Sequence, residues 1–315
     1  MKTLDLRYIE FLTDNFGIWQ HSKGTEIDRE HGYALDDSAR ALLVALQYSR
    51  LDLAEIYLNF LDVSCCSRAQ SINFFDAQKQ PVDHPVSPDA LGESYWAVAK
   101  CIDQGFQVEK AQKIANRLKK ELEHTAHLRT QSYTLLGAVL IDSSFAKKLA
   151  SSLAKSFQAN EDPTWIWPEQ TLTYANAIIP LALLAESSYQ KEALAMLTFL
   201  NEVSKHNGIP IAIGNQGWYP KGGRKALYDQ QPIDPAYHVL ANAQAYLLTG
   251  EASYKQEAKL YLDWFWGNNL AGLPLIDGER HRCLDGLTQE AISVNAGSEC
   301  TVCYILAQAA YAQCE

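Results

Sequence analysis

The stretch HGYALDDSARALLVAL, His31 to Leu46, sets two adjacent aspartates directly before a run of alanine, leucine and valine. A helix apolar on nearly every face is a buried one. One acid at its mouth is ordinary, because an Asp side chain accepts free backbone N–H groups of a first turn. Two exceed what a cap requires. Asp36 suits the cap, with Arg40 paired to it one turn on. Asp37 points about 100° further round the helix and is left for chemistry or ligand binding.

Five further segments repeat the design of polar or acidic residues followed by an Ala- and Leu-rich helix. They begin at Asp89, Arg129, Leu172, Ile233 and Asn295. Between them lie amphipathic patterns over Leu4–Phe16, Leu51–Val63, Val108–Ala126, Phe145–Phe157, Lys191–Lys205 and Tyr254–Trp266. In the third of these, Val108, Ala111, Ala115, Leu118 and Leu122 form one apolar stripe at helical spacing. Strand signals are almost absent. Six buried helices alternating with six amphipathic ones predict an all-α fold, a closed (α/α)6 toroid filling residues 1–315 as a single domain. Closure leaves no apolar face wet. An open solenoid is second, since its last repeat should be more polar, whereas ECTVCYILAQAA near the C-terminus is as apolar as any. In a toroid the inner helices run parallel and their N-termini gather at one end, so Asp36 and Asp37 should face a shared cavity.

Composition narrows the function. The 315 residues carry a formal charge of −10, against the concentrated basic charge that nucleic acid demands. MKTLDLRYIEFL lacks the apolar core of a secretory signal, and the apolar run Ala177–Ala185 is too short to span a bilayer. Seven scattered cysteines fit reduced thiols in a cytoplasm. Cys300 and Cys303 read as small core residues rather than a zinc half-site, and no HxxxH or HExxH occurs. No metal and no cofactor is expected.

The starts of the buried helices hold carboxylates with aromatics interleaved, the makings of a carbohydrate site. Glycosidic cleavage needs one acid to protonate the leaving oxygen and a second carboxylate to activate water or attack the sugar. Aromatic rings offer flat faces to sugar C–H groups. Asp37 and Glu299 are the leading catalytic candidates, with Asp229 and Glu169 behind them. Asp36, Arg40, Glu93, His31 and Tyr33 are assigned to substrate binding. So are Trp167, Tyr174, Asn176, Trp218, Tyr219, Gln230 and Asn295. Asp234, before Pro235, reads as a helix cap. Lys221, Arg224 and Lys225 in a Gly-rich loop offer a phosphate pocket if the enzyme is a phosphorylase.

Four blocks carry a family likeness: HGYALDDSARALL, WIWPEQTLTYANAIIPLALL, GNQGWYPKGGRKALYDQQPIDP and CLDGLTQEAISVNAGSECTVCYILA. Together, from His31 to Ala307, they resemble a bacterial family of the six-hairpin glycosidase-like superfamily. Its members are often joined to, or encoded beside, family-4-type glycosyltransferases. The resemblance implies the (α/α)6 toroid, a glycosyltransferase as partner, and acidic site positions at Asp36, Asp37, Glu169, Asp229 and Glu299. Three positions depart from the family pattern: Ser38 stands for Asn, Gln170 for Asp and Ile178 for Arg. The function expected is cleavage of a glycosidic bond in a short oligosaccharide, with inversion, by a hydrolase or phosphorylase. The alternative is a non-catalytic glycan-binding partner of a glycosyltransferase. A terpene cyclase or zinc-dependent toroid enzyme is disfavoured, because DDSAR lacks the third acid of a DDxxD motif.

Overall fold

Ala34 ends a strand and Leu35 opens a helix with no linker between them; this junction sets the pattern for the candidate site. The computed structural model describes residues 5–315. Helices and strands follow in the order α1 (Arg7–Leu12), β1 (Trp19–Lys23), β2 (Glu26–Ala34), α2 (Leu35–Gln47), α3 (Leu51–Cys66), β3 (Phe74–Phe75), α4 (Pro88–Asp103), α5 (Val108–Leu122), α6 (Leu128–Ile141) and α7 (Ser143–Asn160). The chain continues through β4 (Thr171–Leu172), α8 (Ile178–Leu184), α9 (Gln190–Val203), β5 (Lys205–His206), β6 (Ile209–Pro210), β7 (Tyr219–Pro220), α10 (Ile233–Thr249) and α11 (Ala252–Trp264). It ends with β8 (Ile276–Asp277), β9 (Arg282–Cys283), β10 (Asn295–Gly297) and α12 (Ser298–Ala312). These twelve helices of the described residues coincide with the six buried and six amphipathic segments of the sequence. The first amphipathic helix is shorter than its pattern, and Leu4 lies outside the described residues.

The chain forms two compact units. The first comprises Ala150–Val294 and Cys303–Glu315, with Asp5; the second comprises Leu6–Leu149 and Asn295–Val302. In the second unit α2 packs on α3 and α4, and α4 packs on α5 and α6. Eleven of the thirteen residues of α2 are buried, whereas α5 buries one stripe, Ala111, Ile114, Ala115, Leu118 and Leu122. Glycine lets α4 and α6 approach closely. A Cβ at Gly92 would lie 2.8 Å from the Thr130 carbonyl oxygen, and one at Gly137 would lie 2.9 Å from Trp96 Cα. In the first unit α8 packs on α9 and α10, and α10 on α11.

The near absence of strands was the expectation that failed. Ten short strands occur among the described residues, and the second unit holds a four-stranded antiparallel sheet in the order β10-β1-β2-β3. The β1–β2 hairpin turns at Gly24, whose φ of +60° suits glycine. Its polar residues mask the period-two alternation. Two inner helices also begin later than their patterns. Leu172 lies in β4 and the helix starts at Ile178, while Asn295 lies in β10 and its helix starts at Ser298. The Pro180 ring is accommodated in the first turn of α8.

Cys300 and Cys303 are buried within α12. Among the described residues no helix is long and apolar enough to cross a membrane.

Candidate active site

Strand β1 is the ruler that builds the site. It pairs antiparallel with β2 on one side, Trp19 opposite Tyr33, and with β10 on the other, His21 opposite Gly297. The two flanking strands therefore run in the same direction. Each runs directly into a helix, β2 into α2 and β10 into α12. Asp36 and Asp37 in one first turn thereby meet Glu299 in the other.

One carboxylate oxygen of each lies within 4.8 Å of the others, and the three residues surround one nitrogen of Arg40. Nη2 of that guanidinium is 3.0 Å from Asp36 Oδ2, 3.2 Å from Asp37 Oδ1 and 3.0 Å from Glu299 Oε2. Nη1 donates to Glu93 Oε1 on α4 at 3.1 Å. The Arg40 and Glu93 side chains are each 2% exposed, whereas those of Asp36 and Glu299 are 34% exposed. Arg40 and Glu93 thus stand behind the site, and Asp36 and Glu299 at its opening. This corrects the assignment of Arg40 and Glu93 to sugar contact. The cap is corrected, since α2 is entered through Ala34 with no side-chain capping bond, whereas the expected pairing of Asp36 with Arg40 one turn on does form.

Burial pushes the Asp37 carboxyl up to about 7, helped by the negative charges of Asp36 and Glu299 and opposed by Arg40 and a hydrogen bond with Ser298. Burial likewise holds Glu93 well above the usual carboxylate range against the pull of Arg40. Asp37 is therefore an acid that can hold or release a proton near neutrality, the condition for general acid–base work. Asp36, Asp37 and Glu299 have the donor types for a hard cation, but the point on which they converge is filled by Arg40 Nη2. Ser298 carried no signal in the sequence beyond its place beside Glu299.

The remaining candidates divide by burial. In the second unit Tyr33 is a core residue, its hydroxyl donating to Asp14 Oδ2 at 2.7 Å, which corrects its assignment to a sugar-facing surface. His31 is exposed on β2 with its ring against His21, and Asn295 is half-buried opposite Lys23.

Glu169, Asp229, Trp167, Tyr174, Asn176, Trp218, Tyr219 and Gln230 belong to the first unit. Trp167 and Gln230 are fully buried. The Gln230 amide accepts from Ala212 N at 3.1 Å and Trp264 Nε1 at 3.0 Å, so both residues are core rather than ligand surface. Buried Asn176 donates through its side chain to Thr173 O at 2.7 Å and through its backbone to Asp234 Oδ1 at 3.3 Å. That bond is what Asp234 does in place of capping, since α10 is entered through Pro232 with no side-chain cap. Half-buried Asp229 accepts from Gln216 Nε2 at 3.1 Å, and the Glu169 backbone oxygen accepts from Trp165 Nε1 at 2.7 Å. Tyr219 packs edge-on against Trp165. Tyr174, 39% exposed, meets Trp218 with ring centroids 6.4 Å apart and planes inclined at 49°. The phosphate pocket does not form from its lysines: Lys221 pairs with Asp162, and Lys225 donates to the carbonyls of Val203 and Lys205.

No protein-family model matches the chain, and no curated protein matches it significantly. Solved structures do. A D-mannose isomerase is 14% identical, with 97% of this chain and 93% of that one covered and a TM-score of 0.73. A cellobiose 2-epimerase from Spirochaeta thermophila is 13% identical over 99% and 95% of the two chains, with a TM-score of 0.73. An α-1,6-mannanase from Salegentibacter sp. is 13% identical over 98% of each chain, with a TM-score of 0.65; the form matched is an inactive variant in complex with α-1,6-mannotetrose, with two consecutive aspartates replaced by alanine. These likenesses show the fold, which is the (α/α)6 toroid. The structures it is shared with are sugar-processing enzymes.

Proposed function

We propose that this protein is a glycoside hydrolase acting on a short oligosaccharide through Asp36, Asp37 and Glu299. The observation that carries the reading is the convergence of these three carboxylates within 4.8 Å, one of which, buried Asp37, is pushed up to about 7. Asp37 gives its proton to the glycosidic oxygen as the bond to the anomeric carbon breaks. A carboxylate at the opening, Asp36 or Glu299, takes that carbon. Water then attacks the same carbon, displacing the carboxylate and losing a proton to Asp37. The replaced aspartate pair of the inactive mannanase favours Asp36 as the attacking group, by analogy with the adjacent pair here.

The spacing bears on stereochemistry. Inversion needs about 6.5–9.5 Å between carboxyl groups to admit a water, and retention about 5–5.5 Å. One oxygen of each within 4.8 Å lies nearer the shorter separation, which favours retention over the expected inversion for this set. Hydrolysis is favoured over phosphorolysis because Lys221 and Lys225 are engaged by the protein's own groups, and the site itself is acidic. In the first unit, the exposed ring of Tyr174 and the half-buried ring of Trp218 are read as a surface for a sugar ring.

The test is a panel of manno-, gluco- and galacto-oligosaccharides incubated with the wild type and Asp37→Asn, followed by mass spectrometry and NMR. Cleavage by the wild type and none by the variant supports the reading. A change confined to the reducing-end sugar, with no bond cleaved, would replace it with an isomerase or epimerase. Sugars that raise Tm without being altered would replace it with a glycan-binding protein.

A further inference from the structure

We infer that Arg40 is the built-in counter-cation of this site, a positioning residue that gathers Asp36, Asp37 and Glu299 in the place a divalent cation would otherwise occupy. The chemical meaning of the inference rests on the reading of these carboxylates as catalytic; its test does not.

Three carboxylates drawn from two separate first turns, with an oxygen of each within 4.8 Å of the others, repel one another unless a proton or a cation offsets their charge. A divalent metal held by carboxylates is one solution, and a guanidinium with a fixed fork of donors is another. Here Nη2 lies at 3.0–3.2 Å from all three oxygens. The other arm of the fork is pinned by Glu93, so the guanidinium cannot swing away without leaving a second buried acid without its cation.

The charged groups around Asp37 are Asp36 and Arg40 on its own helix and Glu299 from α12, with Glu93 from α4 across the guanidinium. Asp89, also from α4, acts on Glu93. Arg40 is the cation that acts on both Asp37 and Glu93. At 2% exposure its side chain has no surface to offer a sugar, so its work is done through the carboxylates it holds.

The experiment measures thermal stability in millimolar CaCl2 against NaCl of equal ionic strength, for the wild type and Arg40→Met. Methionine fills much of the space without charge or donors. The wild type should be indifferent to calcium, because its cation position is filled. Arg40→Met should melt lower and recover several degrees with calcium, and that recovery should vanish when Glu299→Gln is added. A merely structural arginine gives no calcium rescue. A rise in the wild type, or an Arg40→Met variant indifferent to calcium, overturns the inference.

Should Arg40→Met fail to fold, Glu299→Gln alone decides. Relieving one anion from a single overdrawn guanidinium should leave Tm unchanged or raise it near pH 8, and a fall of several degrees refutes the charge balance. No arm reads activity, so a failure here is separable from a failure of the hydrolase reading.

Discussion

Replacing Asp37 by asparagine should make the protein more stable at neutral and alkaline pH. The folded protein holds this carboxyl up to about 7, against 3.8 for an ordinary Asp, chiefly by burial. Below about pH 3.8 the acid is neutral in both states and adds no difference. As pH rises from there towards 7, the unfolded chain ionises first, so the wild type loses stability relative to the variant; above 7 the gap stays constant. The full gap of about three pK units corresponds to roughly 4 kcal/mol. Asp36, Glu299 and Arg40 share the titration, so about half of that is expected to be assignable to Asp37 alone. Asn keeps an oxygen for Arg40 Nη2 and offers its amide hydrogens to Asp36 and Glu299. About 2 kcal/mol should raise Tm by about 4 °C. Thermal melts of both proteins at matched ionic strength from about pH 4 to pH 8 read this directly. A variant less stable than the wild type at pH 8, or a difference that does not change with pH, would refute the reasoning. The gain would also illustrate the stability that a working acid sacrifices.

Other perturbations follow from the same structure. His238 is buried and stacked on Tyr261 at 4.0 Å, and burial, aided by Lys205, pushes it down to about 3. As pH falls from about 6.5 towards 3 the unfolded chain protonates first, so up to about 4 kcal/mol of stability is lost; His238→Gln should flatten that limb of a chemical-denaturation profile. Gly137→Ala should destabilise by about 1–3 kcal/mol, because the new methyl meets the α4 backbone at Trp96, and urea melts check it. Trp218→Ala should leave Tm nearly unchanged and weaken oligosaccharide binding by about 1 kcal/mol, as read by calorimetry; unchanged affinity would remove the aromatic surface from the account.

The helices were legible because their signal is local. The Ala- and Leu-rich runs of α2, α4, α6 and α10 carry a period no loop would carry, and the stripe of α5 reads directly as a surface helix. The strands were not, because they are short and polar and their pairing is remote: Ser22 donates to Ala296, 274 residues away. That pairing brings Glu299 to Asp37, so the sequence could nominate both acids without showing why they meet. Burial was the other blind spot. Arg40, Glu93 and Tyr33 looked like ligand contacts because they flank the acids, yet each points into the protein. Asp234 looked like a cap because position in the first turn is local, while its partner Asn176 is set by packing; the Asp36–Arg40 pair, one turn apart on α2, was legible.

The most direct test of the central claim is proton NMR of the first-formed sugar during hydrolysis by the wild type, with Asp36→Asn, Asp37→Asn and Glu299→Gln run beside it. Carboxylates this close should release product with the anomeric configuration of the substrate. Asp37→Asn should abolish turnover, and at least one of the other two variants should do the same. An inverted product, or cleavage that survives in Asp37→Asn, would mean that the chemistry lies elsewhere in the chain.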